Sequence, residues 1–144
     1  ALDIWVGGNS DLALKRVARY GDGWLPSFVT PEEFRCGMAK LVEYGEKQGR
    51  IIDPREAGVL ILTHVEEDVK RVEALLGLLS ARSPLPTETL VRRSAIGSGD
   101  QCVARIQEYV AAGCTKFVLH TVASPSGLVE QIERLGRQVL PSFA

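Results

Sequence analysis

Several shortages in the sequence each remove a class of function. Cysteine occurs only three times, as Cys36, Cys102 and Cys114. An odd number, never spaced C-x-x-C, argues against a disulfide scaffold or zinc ribbon and for a reducing, cytoplasmic setting. No apolar run reaches the ~18 residues of a membrane-spanning helix, and the opening residues do not read as a signal peptide. Neither sign of charge dominates, since 17 Lys+Arg face 18 Asp+Glu for a formal net charge of -1. That balance leaves no electrostatic footprint for nucleic acid or an anionic membrane.

What is present suits one globular domain over residues 1–144. A hydrophobic fraction of 45% in 144 residues is enough to bury a core without a disulfide or a metal. The sequence opens at Ala1, and residues 2–6 already read as a strand. A strand with so little lead-in raises the expectation of a longer parent chain.

Apolar strands alternate with amphipathic helices along the chain. Ile4-Trp5-Val6 is a short β-prone run ended by Gly7-Gly8-Asn9-Ser10. Ser10 is a good cap for a helix whose apolar stripe is Ala13, Leu14, Val17 and Ala18. Gly23-Trp24-Leu25-Pro26 is a second strand candidate. Thr30-Pro31-Glu32-Glu33 forms a capping box for a helix carrying Phe34, Met38, Leu41 and Val42. Gly58 to His64 is apolar without alternation, the pattern of a strand covered on both faces. Helical spacing returns from Glu66 to Leu79. Ala81 to Ser98 is irregular, with a possible short helix over Thr87 to Ala95.

Ser98-Gly99-Asp100-Gln101 is a second capping box, opening a helix with Val103, Ile106, Tyr109 and Val110 inward and Gly113 closing it. Lys116 to His120 reads as a last buried strand. Leu128, Ile132, Leu135 and Val139 form the apolar face of a final helix. Four βα units in this order predict a parallel α/β sheet whose working residues lie at the C-terminal strand ends.

Those ends supply the candidates. Two glycines at Gly7-Gly8 allow close approach of a ligand, and the helix after Ser10 offers free N–H groups and a positive dipole end to a phosphate. The same turn also serves simply to connect strand and helix. His64 and His120 end two strands of one rim, where each can line a pocket or move a proton. A metal would need a third protein ligand, and none is spaced for it. Trp24 can stack on a planar ring, with core packing as its default. Arg92-Arg93 is a candidate anion clamp whose default is solvation. No nucleophile motif or acid–base pair identifies a catalytic residue.

Several motifs in order carry a resemblance. Ile4 to Ser10, Ala18 to Trp24, Thr30 to Phe34, Ile96 to Gln101 and Tyr109 to Leu119 together resemble the bacterial luciferase-like monooxygenase family. One departure is Gly99, where the family usually has proline after Gly-Ser, which affects helix initiation only. The resemblance implies a (β/α)8 barrel using FMN or the deazaflavin coenzyme F-420, with this chain at its C-terminal half. It assigns Gly7, Gly8, Asn9 and Ser10 to the cofactor phosphate. The pairing of Gly-Gly-Asn-Ser with Gly-Asp-Gly-Trp-Leu-Pro is nearest the F-420 branch.

A whole barrel takes about 250 residues, so four units make about half of one. The implied function is a flavin- or deazaflavin-dependent oxidoreductase acting on a small organic substrate. A half barrel would leave strands 2–6 and 116–120 as unpaired edges, inviting a homodimer. Two other readings stay open: a non-catalytic half-barrel assembly unit, and a flavodoxin-like domain binding a phosphorylated ligand.

Overall fold

The computed structural model describes residues 2–144. Five strands and six α-helices follow in order. They are β1 (Trp5–Val6), α1 (Asp11–Tyr20), β2 (Gly23–Trp24), α2 (Pro31–Glu46), β3 (Gly58–Val65) and α3 (Val69–Ala81). Then come α4 (Thr87–Arg92), β4 (Ser94–Gly97), α5 (Gly99–Ala111), β5 (Lys116–Thr121) and α6 (Leu128–Gln138), with a 3₁₀ turn at Leu140–Phe143. The chain divides into two compact units. One is the stretch up to Leu60 together with Glu108–Val118; the other is Ile61–Gln107 with Leu119–Ala144.

In the first unit β1 pairs with β2 in parallel, Trp5 opposite Gly23 and Val6 opposite Trp24. Single parallel bridges join Trp24 to Ala57 and Ser27 to Leu60. The α1 stripe forms as its spacing requires, with Ala13, Leu14, Val17 and Ala18 all buried. Thr30 and Glu33 make the reciprocal capping box: Glu33 N–H donates to Thr30 Oγ1 at 3.2 Å, and Thr30 N–H to Glu33 Oε2 at 2.7 Å. Such a cap stabilises a helix by about 1 kcal/mol. Below α2 lies an aromatic pair, Trp24 on Phe34, stacked with centroids 5.3 Å apart. Gly37 is required there, since a Cβ would stand 2.3 Å from the Trp24 ring.

In the second unit β3 pairs with β4 in parallel, from Leu62 opposite Ser94 to Val65 opposite Gly97. The order of this sheet is β4-β3-β5. The second capping box is present, with Ser98 and Gln101 exchanging backbone and side-chain bonds at 2.9 and 3.2 Å. In the first unit, beyond the end of α5, Gly113 takes the left-handed conformation with φ +97°.

Five sequence expectations need correction. There are five strands rather than four: Ser94 and Ala95, read as the end of a helix, belong to β4, and the helix stops at Arg92. Pairing with β3 creates that strand, and pairing has no local signature. The strand over 58–65 is fully covered on one face only, since Val59, Ile61, Thr63 and Val65 are buried while Leu60, Leu62 and His64 are half-buried. Strand β5 has no buried residue, alternating exposed and half-buried positions along its length. On α6, Leu128 and Ile132 are exposed at 41% and 56%, and Gln131 and Leu135 are the buried positions. Val110 on α5 also faces outward, at 48%.

Candidate functional site

The glycine turn after β1 is built by its neighbours. Gly8 has φ +95°, and a Cβ there would lie 2.9 Å from the Cβ of Ala13. Only glycine meets both conditions without strain. Ser10 caps α1, its Oγ accepting the Ala13 N–H at 3.2 Å. Gly7, Gly8, Asn9 and Ser10 are all exposed.

Trp24 fixes the turn from beneath. Its ring is 1% exposed, and one face is taken by Phe34, so it is not placed to stack on a ligand. Its indole Nε1–H donates to the Gly8 carbonyl at 2.8 Å. A trans peptide sets C=O and the following N–H on opposite sides. Pulling the Gly8 carbonyl toward the core therefore turns the Asn9 N–H outward, at the positive end of α1. Here a core tryptophan orients a surface donor.

Beside this turn opens a cavity of about 190 Å³. Leu14, Trp24, Val29 and Gly37 line it together with Asn9, Cys36, Lys40 and the acidic Glu33. The Lys40 amine lies 3.8 Å from Asp11. Asp11 also accepts from Lys15 at 2.8 Å and from the Tyr44 hydroxyl at 2.5 Å. These bonds, Lys15 first, hold its carboxyl below the ordinary aspartate range. Asp11 thus stays ionised at the first turn of α1, with Lys15 and Lys40 as its counter-charges.

The two histidines fall in the second unit. His64, near the end of β3, is half-buried, and its Nδ1 meets the Val122 carbonyl at 2.5 Å. It lines a second cavity, of about 200 Å³, with Glu66, Arg71, Ser124, Gln131 and Arg134 among its neighbours. His120 is exposed on β5, and the ring nitrogens of His64 face Val122 and Gln131. Arg92 and Arg93 close α4; Arg92 is exposed and Arg93 half-buried.

Two residues were missed from sequence. Gln131 reads as the polar side of α6 yet is 6% exposed. Tyr109, read only as apolar, sends its hydroxyl to the Val29 carbonyl at 2.5 Å. No local pattern marks either, because both partners are distant in sequence.

No protein-family model matches the sequence, and no curated protein matches it. Solved structures do. An F-420-dependent secondary alcohol dehydrogenase in complex with an F-420–acetone adduct superposes with TM-score 0.78 at 16% identity, covering 97% of this chain and 48% of its own. The coenzyme F-420-dependent tetrahydromethanopterin reductase of Methanopyrus kandleri gives 0.69 at 20% identity, with 99% and 51% covered. The oxygenating constituent of 3,6-diketocamphane monooxygenase from Pseudomonas putida, in complex with FMN, gives 0.72 at 15% identity, with 98% and 49% covered. The chain has the fold of half of each of these enzymes. It spans about half their length. Two of them are F-420-dependent and one is bound to FMN, the two cofactors that the motif resemblance implies.

Proposed function

We propose that the Gly7–Ser10 turn binds the phosphate of coenzyme F-420 or of FMN, in a luciferase-like oxidoreductase or monooxygenase acting on a small organic substrate. The observation that carries this reading is the Gly8–Trp24 pair. A glycine-only turn is held so that the Asn9 N–H points outward at the N-terminal end of α1.

The residues present fit a phosphate. Backbone N–H groups at the start of α1 and the Ser10 hydroxyl are donors on an exposed surface, and Lys40, which also pairs with Asp11, lines the neighbouring cavity with Glu33. Bound there, the cofactor would supply hydride transfer or oxygen activation. The chain's own part is to hold and orient it. The F-420 form is preferred over FMN on the motif pairing of the first two strand ends. His64 and His120 are assigned to the pocket rim. Three free thiols, Cys36, Cys102 and Cys114, suit a reducing, cytoplasmic setting.

Titration with F-420, FMN and riboflavin tests the reading, because riboflavin lacks the phosphate. Phosphate-bearing ligands should bind at least ~10-fold more tightly, a difference of about 1.4 kcal/mol. Equal affinity for riboflavin and FMN would remove the phosphate assignment.

A second reading, association with another copy of the chain, is favoured by β5. None of its residues is buried, and Val118 is 43% exposed. An uncovered apolar strand invites pairing. Light scattering should give a dimer mass. A monodisperse monomer that binds no apolar dye would remove this reading.

A further inference from the structure

The least expected polar group of the second unit is the buried amide of Gln131. Its Oε1 accepts the Val65 N–H at 2.8 Å, and its Nε2 donates to the Val65 carbonyl at 3.0 Å. Two bonds of opposite sense to one residue fix which end of the amide is oxygen, since exchanging the ends would break both. The second hydrogen on Nε2 is directed at His64 Nε2, 3.5 Å away. On the other side of the imidazole, Nδ1 faces the Val122 carbonyl. A carbonyl only accepts, so Nδ1 carries a proton. The amide group opposite Nε2 donates, so Nε2 carries the lone pair.

We infer that Gln131 is a positioning residue that, with the Val122 carbonyl, locks the neutral ring of His64 as its Nδ1–H tautomer. The single lone pair on Nε2 then faces the Gln131 amide, so both ring nitrogens are committed to partners within the protein. This deepens the proposed function only in placing His64 on the working rim; the lock itself is independent of any cofactor.

The chain has two histidines, which makes the test direct. Long-range proton–nitrogen correlation NMR on nitrogen-15-labelled protein reads the tautomer of each ring, with His120→Gln assigning the pair. In cofactor-free protein His64 should show the protonated-Nδ1 pattern, while exposed His120 should show the averaged pattern of free histidine. Gln131→Leu should move the His64 signals toward the averaged pattern. Gln131→Met, a better match in length, serves the same purpose if the leucine variant fails to fold. A wild-type His64 with its proton on Nε2, or averaged like His120, overturns the inference. So does a folded Gln131 variant whose His64 keeps the full Nδ1–H pattern, because Val122 alone would then set the ring. Failure of the phosphate titration leaves these spectra unchanged, so the two claims fail separately.

Discussion

The indole N–H of Trp24 donates to the carbonyl of Gly8 at 2.8 Å across sixteen residues of sequence. This bond ties the interior of the first unit to its exposed turn. Replacing Trp24 by Phe removes the donor and leaves space against Phe34 and Gly37. Chemical denaturation should show a loss of roughly 1–3 kcal/mol. The peptide between Gly8 and Asn9 would then be free to rotate, and FMN or F-420 affinity should fall by about tenfold beyond any loss from unfolding. Unchanged affinity in a folded Trp24→Phe variant would separate the bond from ligand binding.

The buried thiols should be inert. Burial pushes Cys102 and Cys114 up to about 11, while Cys36 is exposed. A thiol reagent at pH 8 should label one cysteine quickly in the native protein and all three after unfolding. Three equal rates in native protein would contradict the burial.

Thr63 carries a cost that substitution can relieve. Its side chain is 0% exposed, and its Oγ1 has no hydrogen-bond partner among the described residues. Valine keeps the shape without the buried hydroxyl, so Thr63→Val should raise stability by about 1 kcal/mol. A loss of stability would show that the hydroxyl has a partner in solution.

Asp53 gives a pH signature. Its bonds with Arg55 hold the carboxyl at about 2, below its ordinary 3.8. A folded pKa below the unfolded one means stability that is present above 3.8 and lost as pH falls through about 2. The pair is exposed, so solvent screening keeps the effect small. Asp53→Asn should remove that part of the acid dependence, read as a flatter melting temperature over the same range.

Much of the first unit is legible in the sequence because its signals are local. Ser10 and Thr30 with Glu33 are caps, complete within four residues, as is Ser98 with Gln101 in the second unit. The α1 stripe repeats within two turns. Features made by distant partners leave no such trace. β4 exists because Ser94–Gly97 lies beside Leu62–Val65. The burial of Gln131 depends on Val65, 66 residues away. Strand β5 is apolar enough to read as buried, yet hydrophobicity records what a strand can cover rather than what covers it. The glycine turn was legible as a candidate site. Its orientation was not, because that depends on a tryptophan donor from the next strand.

The phosphate assignment is tested most directly by amide NMR during titration with FMN or F-420. The largest shifts should fall on the N–H groups of Gly8, Asn9, Ser10 and the first turn of α1. Gly8→Ala should abolish them, since a Cβ there meets Ala13 at 2.9 Å. Shifts confined to other residues, or binding that survives intact in folded Gly8→Ala, would contradict it.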